Sequence, residues 1–323
     1  MLHDVGKKVI VFGGSGFIGN HLICSLDNTV DRIISIDIKP PKNIVKNVEY
    51  IQADVRDLAS LEVYENIDVI YNLAAIHTTP GHEHHEYYET NIVGAIEVCK
   101  YAKKCNIKEI VFTSSISVYG PGEDQKVETT ALKPTSSYGY SKKIAERIHR
   151  DWQQFDSNYK LTIVRPAVVF GHGEGGNFTR LATLLSKGWF IYPGRKDTIK
   201  ACIYVGDLLN AIEFARGAHN DEVTFNGAYH HGYTLEDIIN TFTKEHFPKV
   251  NTFLVPKFIV LAAAKAFKLF NALNIGIHPD RVMKLVQSTN IYPQWLVDNG
   301  KTFDDGLVRA LAEWKKDSSG TFK

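Results

Sequence analysis

The stretch KVIVFGGSGFIG, residues 8–19, decides the fold. The apolar run Lys8–Phe12 predicts a buried β-strand, and the residues from Gly16 to Leu26 predict the helix that follows it. Between strand and helix, Gly13, Gly16 and Gly19 stand three residues apart. Glycines at this spacing permit a tight turn, close approach of a pyrophosphate to the backbone, and close packing of the helix on the sheet. Because the helix N-terminus also offers free N–H groups, the stretch predicts a dinucleotide site.

The rest of the first half repeats the alternation of short apolar strands and helical stretches. Further strands are predicted at residues 32–36, 48–52, 69–73, 110–114 and 161–165, and helices at residues 89–105 and 138–155. This alternation predicts an α/β fold, a Rossmann-type doubly wound parallel sheet. We expect residues 1–170 to form the dinucleotide-binding domain, with a returning segment near residues 200–228. Residues 171–323 are expected to form a smaller, mostly helical C-terminal substrate-binding lobe.

Composition excludes several classes of protein. The 323 residues are 44% hydrophobic and 23% charged, which is ordinary for a globular chain and gives no reason to expect disorder. Lys and Arg total 37 against 36 for Asp and Glu, so no basic excess points to nucleic acid.

The sequence gives little indication of targeting or of membrane insertion. We identify no secretory signal at the N-terminus and no integral membrane segment. The four scattered cysteines, Cys24, Cys99, Cys105 and Cys202, are expected to be free thiols in a reducing cytoplasm.

An acidic residue follows the second predicted strand. Asp37 stands 18 residues beyond Gly19, where a carboxylate accepts hydrogen bonds from the adenosine ribose and repels a 2′-phosphate. The residue therefore favours NAD over NADP, although Lys39 nearby would tolerate a phosphate and Asp37 could instead cap a turn. Asp54 and Val55, after the third strand, are candidates for the adenine edge, or for a simple turn.

A tyrosine and a lysine share one face of the predicted helix at residues 138–155. Tyr138 and Lys142 are one turn apart, and a nearby ammonium group lowers the pKa of a phenol, which makes proton exchange with a substrate hydroxyl practical. Ser115 follows the fifth strand, at the edge of the sheet where ligands of open α/β folds bind. A surface pair is the alternative for Tyr138 and Lys142 taken alone.

The order of these motifs resembles the extended short-chain dehydrogenase/reductase family, in its nucleotide-sugar epimerase/dehydratase group. The resemblance rests on residues 13–19, Asp37, residues 72–75, Asn91, residues 115–120, residues 138–142 and residues 165–166. It implies Tyr138 as catalytic acid/base, Lys142 as its partner and Ser115 as the group that orients the substrate oxygen. It implies NAD as cofactor, with contacts from Gly13, Ser15, Gly16, Phe17, Ile18, Gly19, Asp37, Ile38, Asp54, Val55, Leu73, Ala74, Ala75, Tyr138, Lys142 and Pro166.

The resemblance does not by itself specify the reaction, which we infer from the residues that follow Ser115. Dehydratases of the group carry an acidic residue after the catalytic serine or threonine, whereas Ile116 and Ser117 follow Ser115 here. We therefore expect NAD-dependent epimerisation of a nucleotide-sugar, a UDP-hexose 4-epimerase. The alternatives are an NAD(P)-dependent reductase of a nucleotide-keto-sugar, a 3β-hydroxysteroid-type dehydrogenase, or a protein that binds a dinucleotide without turnover.

The C-terminal half offers weaker candidates. Ser115, Ser117, Asn177, Lys200 and Arg281 are the candidate residues for the nucleotide diphosphate-sugar substrate, and a homodimer is implied by the family. His77, His82, His84 and His85 cluster without a metal-ligand spacing, so we expect no metal. Residues 257–270 predict a basic amphipathic helix that packs as a lid or contacts a membrane surface.

Overall fold

A computed structural model describes residues 7–27, 29–78, 81–219, 221–256, 258–259 and 287–323 of the chain. The chain divides into two units. The first unit is Met1–Gly120, Thr130–Pro166 and Val205–Asn226; the second is Pro121–Thr129, Ala167–Tyr204 and Gly227–Lys323. The candidate arginine at position 281, and all of the basic amphipathic segment except residues 258 and 259, lie outside the described residues.

A seven-stranded sheet forms the centre of the first unit. Its order is β11-β7-β5-β4-β1-β2-β3, and the pairs from β7 to β3 are parallel. The reversal of strand order beside β1 is the doubly wound arrangement, which confirms the predicted fold class. The strands are β1 (Lys8–Phe12), β2 (Arg32–Asp37), β3 (Val48–Gln52), β4 (Val69–Asn72), β5 (Glu109–Thr113), β7 (Lys160–Pro166) and β11 (Glu222–Gly227).

Helices cover both faces of this sheet because its strands are apolar on both sides. Ile10, Phe12 and Ile34 pack into one core with residues of α3 and α4, and Tyr71, which points the other way, donates to Glu213 of α6. The helices are α1 (Phe17–Leu26), α2 (His84–Tyr88), α3 (Gly94–Lys104), α4 (Ser137–Gln153) and α6 (Val205–Ala218), with one π-helical turn at Glu89–Val93 between α2 and α3.

Short strands and helices build the second unit. Three two-stranded parallel sheets join β6 (Gly122–Lys126) to β13 (Thr289–Ile291), β8 (Val168–Phe170) to β10 (Cys202–Tyr204), and β9 (Trp189–Gly194) to β12 (Asn251–Pro256). The described helices of this unit are α5 (Asn177–Leu185), α7 (Leu235–Glu245), α8 (Gln294–Asp298) and α9 (Gly306–Asp317). Within the described ranges, no helix is long and apolar enough to cross a bilayer.

Candidate active site

The glycine loop connects β1 to α1 and leaves no space for a side chain at Gly13 or Gly19. Gly13 has a φ of +83°, and a Cβ there would lie 2.7 Å from the backbone nitrogen of Ala74. A Cβ on Gly19 would lie 2.2 Å from the carbonyl oxygen of Gly13. The loop is closed by the Gly16 N–H, which donates to the Gly13 carbonyl over 3.1 Å. The backbone therefore presents a surface that a pyrophosphate can approach closely.

Asp37 ends β2 beside this loop. Its carboxylate accepts a hydrogen bond from the backbone N–H of Ser15 at 3.0 Å and another from that of Lys39 at 2.9 Å. Asp37 thus ties the glycine loop to the end of β2, and each carboxylate oxygen retains a lone pair for a ligand hydroxyl.

A cavity of about 200 Å³ opens beside Asp37. Its lining residues are Ser15, Ser35, Asp37, Lys39, Pro40, Pro41, Tyr50, Ile51 and Gln52. Ser35 is buried, and its Oγ has no hydrogen-bond partner among the described residues. The apolar walls, the free hydroxyl and the carboxylate suit an adenosine group, and the adjoining glycine loop suits its pyrophosphate. These residues therefore fit a dinucleotide.

The other residues proposed to contact the cofactor follow the same edge of the sheet. Phe17 and Ile18 begin α1, and the side chain of Ile38 is exposed just after β2. The carboxylate of Asp54 is held by Arg56 in a bidentate pair, and this hydrogen bonding lowers the pKa of Asp54.

The remaining candidates follow β4 and end β7. Leu73 N–H donates to the Phe12 carbonyl over 2.9 Å. Val55, Ala74 and Ala75 are half-buried, and Pro166 is buried at the end of β7.

Asn91 holds the loop after β4 against α4. Its amide accepts from the N–H of Ile76 at 2.9 Å and donates to the carbonyl of Ile76 at 3.1 Å. The same amide nitrogen donates to Ser141 Oγ at 2.8 Å. Ser141, which was not predicted, in turn donates to the Tyr138 carbonyl at 2.9 Å. This chain of bonds fixes the backbone at Tyr138 relative to the loop that carries Ala74 and Ala75.

The structure brings Ser115 and Tyr138 together. Ser115 lies just after β5 and begins the 3₁₀ turn Ile116–Val118, where its Oγ accepts from the Ser117 N–H at 3.1 Å. Burial raises the pKa of the half-buried Tyr138 to about 12; a hydrogen bond with Ser115 opposes that rise, and the nearby phenol of Tyr87 adds to it. The raised pKa contradicts our expectation that Lys142 would lower it, because removal of the phenol from water is the largest effect and the groups that act on the phenol are Ser115 and Tyr87.

Lys142 lies buried one turn along α4 from Tyr138. Its Nζ donates to the Thr113 carbonyl at 2.7 Å and sits 4.8 Å from the ring centre of Phe112. Burial lowers the pKa of Lys142 to about 7, although the carboxylate of Glu146 favours the charged form. A lysine in this setting changes its charge near neutral pH, which suits a group that assists proton exchange.

A buried ionic network behind Lys142 escaped the sequence analysis. Glu146 receives two hydrogen bonds from the guanidinium of Arg165, at 2.8 and 2.7 Å, and one from Ser114 Oγ at 2.6 Å. Burial alone would raise the pKa of Glu146, but the bonds from Arg165 and Ser114 outweigh it and hold the pKa below its usual range. The spacing of Tyr138, Lys142 and Glu146, each one helical turn from the next, was the available signal.

A neutral histidine lies in the same core. His149 stacks on Phe112 with ring centres 4.0 Å apart, and its Nδ1 lies 2.7 Å from the Ala145 carbonyl. Its Nε2 lies 3.2 Å from Asn72 Nδ2, so the proton belongs on Nδ1, with Nε2 accepting. The pKa of His149 is lowered to about 4, and burial is the largest of the effects that lower it.

The proposed substrate residues are distributed between the two units. Ser117 is half-buried beside Ser115, with the two hydroxyls 3.2 Å apart. Asn177 is exposed at the first position of α5 in the second unit. Lys200 is also in the second unit; its Nζ donates to the Gln287 carbonyl at 2.7 Å, and burial lowers its pKa to about 8.

The histidine cluster makes polar contacts of its own. His82 Nδ1 lies 3.4 Å from a carboxylate oxygen of Glu86, and His84 Nδ1 lies 2.5 Å from Ser137 Oγ. The latter contact joins α2 to the first residue of α4, next to Tyr138.

Three known proteins illustrate what this chain is similar to. It is 31% identical over 214 residues to the N-acetyl-alpha-D-glucosaminyl-diphospho-ditrans,octacis-undecaprenol 4-epimerase of Escherichia coli O157:H7, covering 65% of this chain and 63% of that protein. It is 31% identical over 190 residues to the UDP-glucose 4-epimerase of Neisseria meningitidis serogroup B, covering 53% of this chain and 55% of that protein. The structure of MoeE5 in complex with UDP-glucuronic acid and NAD matches with a TM-score of 0.74 at 21% identity, covering 97% of this chain and 100% of that one.

The chain spans less than two thirds of the length of the two curated relatives, and the structural match establishes the fold. The model of the NAD dependent epimerase/dehydratase family matches residues 9–227, which include the glycine loop, Asp37, Ser115, Tyr138 and Lys142. By this match the chain belongs to the NAD dependent epimerase/dehydratase family.

Proposed function

We propose that the protein is an NAD-dependent 4-epimerase of a nucleotide-sugar, with a UDP-hexose as substrate. The observation that carries the proposal is the grouping of Ser115, Tyr138 and Lys142 after β5. The glycine loop follows β1, and the carboxyl ends of parallel strands lie at one edge of a sheet, so the proton-exchange groups and the dinucleotide cradle share that edge.

The proposed roles of the residues follow from their contacts. When bound, NAD would supply reversible hydride transfer, in which the hydride removed from a sugar carbon returns to the opposite face of that carbon. Tyr138 takes the proton of the hydroxyl on the same carbon and gives it back, and Ser115 orients that oxygen by a hydrogen bond. Lys142 supplies positive charge near the phenol, since its pKa of about 7 leaves a protonated fraction at neutral pH.

Two observations favour epimerisation over the other reactions of the family. The position after Ser115 is Ile116, so the 3₁₀ turn carries no carboxylate for an elimination. The two curated relatives described above are named 4-epimerases, which supports a cycle without net oxidation over a reductase or a steroid dehydrogenase.

A second candidate substrate differs in the carrier and not in the reaction. The relative from E. coli is named for a sugar attached through a diphosphate to undecaprenol. A sugar diphosphate on a polyprenol offers the same reacting carbon and the same two phosphates as a UDP-sugar, but replaces the uridine by a lipid. We include it because that relative matches a larger share of this chain than the UDP-glucose 4-epimerase does.

The experiment that tests the function measures turnover and redox balance together. Purified protein is incubated with UDP-galactose, and separately with UDP-N-acetylglucosamine and its polyprenyl diphosphate counterpart, with no NAD or NADP added. We expect conversion to the 4-epimer without accumulation of reduced cofactor. Formation of one reduced cofactor per product would contradict the proposal, and so would the absence of turnover on all three substrates after NAD is supplied.

We further propose a homodimer that resides in the cytoplasm. Val93 and Ile96 are exposed one turn apart, as are Tyr140 and Ile144 on α4. Helices α3 and α4 pack on each other, so this apolar surface suits a second copy of the chain. All four cysteines are free thiols, which supports a reducing compartment.

A further inference from the structure

One face of the β9–β12 sheet in the second unit is apolar and open. The register pairs Asn251 with Trp189 and Phe253 with Ile191, so these side chains project from the same face. The exposed fractions are 44% for Trp189, 42% for Ile191 and 58% for Phe253. On the opposite face Phe190 and Tyr192 are buried. Strand β9 thus places Phe190 and Tyr192 in the core, whereas Trp189, Ile191 and Phe253 lie outside it. Leu254, which pairs with Tyr192, is also 52% exposed.

The chain continues this apolar character beyond the sheet. Phe258 and Ile259, just after the end of β12, are exposed by 71% and 46%. We call Trp189, Ile191 and Phe253 the apolar patch; Phe258 and Ile259 follow its second strand in the chain. Five large apolar side chains in two short segments exceed the scattered exposure that is normal for a protein surface.

Positive charge accompanies both segments. Exposed Lys187 and Lys249 precede β9 and β12, and the hydrogen bond from Asn251 N–H to the Gly188 carbonyl holds these two chain segments together. The sequence has no Asp or Glu between Glu174 and Asp197, nor between Glu245 and Asp280. The basic residues of these two acid-free stretches are Arg180, Lys187, Arg195, Lys196, Lys249, Lys257, Lys265 and Lys268.

We propose that the apolar patch binds the surface of an anionic phospholipid membrane. Apolar and aromatic side chains enter the boundary between headgroups and acyl chains, while neighbouring lysines attract the lipid phosphates. A tryptophan among them is suited to that boundary, since its ring has both apolar and polar parts. Lys187 and Lys249, which precede the two strands, supply the positive charge, whereas Arg195 and Lys196 are already paired with Glu123, Asp197 and Glu236. The proposal concerns attachment and does not depend on the reaction proposed above.

The test measures binding of the full chain to vesicles of phosphatidylcholine with and without phosphatidylglycerol. We expect co-sedimentation with the phosphatidylglycerol vesicles that weakens as salt is added. Tryptophan emission should shift to shorter wavelength on binding, because Trp189 is exposed, whereas Trp295 is half-buried and Trp152 and Trp314 are buried. A Trp189→Phe variant should still sediment but lose most of that spectral shift.

Two sets of substitutions separate the apolar and ionic contributions. The triple variant Trp189→Ser, Ile191→Ser, Phe253→Ser should bind at least about tenfold more weakly. Substitution of Lys187 or Lys249 by Gln should each cost about fivefold, without loss of any core contact. Ile44→Ser with Val63→Ser, two exposed apolar residues of the first unit, is the matched control and should bind like the unaltered protein.

Three outcomes would overturn the proposal. The first is failure of the unaltered protein to sediment with anionic vesicles. The second is equal binding by the lysine variants and the control variant. The third is a Trp189 emission that is already shifted in vesicle-free solution and insensitive to vesicles, which would mean that residues 260–286 or a second copy of the chain occupy the patch.

Discussion

Two features define the chemistry of Tyr138. Its phenol hydrogen-bonds with the Ser115 hydroxyl, and burial raises its pKa to about 12. A phenol with a raised pKa stays protonated at neutral pH and gives up its proton only when a cation or a developing charge is close. The nearby Lys142, with a pKa of about 7, is the one group of the predicted pair whose charge can vary under those conditions. In the proposed mechanism the proton exchange therefore depends on the phenol and the ammonium together.

Replacement of Tyr138 by Phe should abolish the reaction and retain the cofactor. The substitution removes only the hydroxyl that exchanges the proton, so we expect turnover to fall by about a hundredfold or more. Measured NAD content of the purified variant should be unchanged. Tyr140→Phe, an exposed position on the same helix, is the control and should keep full turnover. Undiminished turnover in Tyr138→Phe would remove this residue from the proposed role.

Replacement of Asp37 by Ala should change the preference between the two cofactors. Loss of a charged acceptor for the ribose hydroxyls should weaken NAD by about tenfold or more, while NADP, which the carboxylate repels, should lose less or gain. Titration of both cofactors by calorimetry gives the ratio. Asp57→Ala is the control, because Asp57 caps a nearby turn through the Ala59 N–H. An unchanged ratio of affinities in Asp37→Ala would contradict the ribose assignment.

His149 should make stability depend on pH in the acid range. Its pKa is about 4 in the folded chain, against an ordinary value of 6.5, so only the unfolded chain takes up this proton between those values. We expect His149 to lower the free energy of unfolding by up to about 3 kcal/mol as pH falls through that window. Urea unfolding at several pH values should show a shallower dependence in His149→Gln. A slope identical to that of the unaltered protein would be the contrary result.

At the scale of elements, the glycine loop has little tolerance for added atoms. Gly19→Ala would place a Cβ 2.2 Å from the Gly13 carbonyl oxygen, whereas a Cβ on Gly217 of α6 meets no atom within 4 Å. We expect Gly19→Ala to cost about 1–3 kcal/mol of stability and most of the NAD affinity. Gly217→Ala should be neutral or stabilising by up to about 1 kcal/mol. Thermal unfolding and NAD titration of the pair provide the comparison, and equal behaviour would contradict the packing argument.

The sequence predicted the elements whose patterns are local. β1 and β3 have the predicted bounds, and the ends of β2, β4, β5 and β7 differ by one residue. The expected helix at residues 89–105 instead begins at His84 and contains a π-helical turn. Strands β6, β8, β9, β12 and β13 were not predicted. Their runs are short and exposed in part, and their pairings join segments far apart in the chain, for which a local pattern carries no signal.

The same distinction applies to the candidate site. Asp37, Ser115, Tyr138 and Lys142 follow recognisable spacings from strand ends or along one helix face. The bonds from Asn91 to Ile76 and from Arg165 to Glu146 join different elements, and only the folded arrangement reveals them. The pKa of Tyr138 could not be inferred either, because it depends on burial and not on the distance to Lys142 along the helix.

At the scale of the whole molecule, the proposed dimer can be tested by introducing one charged side chain into its proposed interface. Ile144→Glu would place a carboxylate in the apolar surface of α3 and α4, and an unpaired buried charge destabilises an interface strongly. Sedimentation velocity should show a dimer for the unaltered protein and a monomer for the variant. Val308→Glu, at an exposed position of α9, is the control and should remain dimeric. A variant that stays dimeric would exclude this surface as the interface.

The division of the first unit into three chain segments has a consequence for how the protein is made. Val205–Asn226 supplies α6 and β11, and Arg216 of α6 donates to the Tyr71 hydroxyl at 2.7 Å and to Glu109 at 2.8 Å. A ribosome that has reached residue 204 has therefore released β4 and β5 without the arginine that their polar side chains bind. The sheet is completed only after Ala167–Tyr204, which belongs to the second unit, has also emerged. The order of synthesis thus delays closure of the first unit's sheet until two thirds of the chain is available, and until then the face that α6 covers lacks that helix.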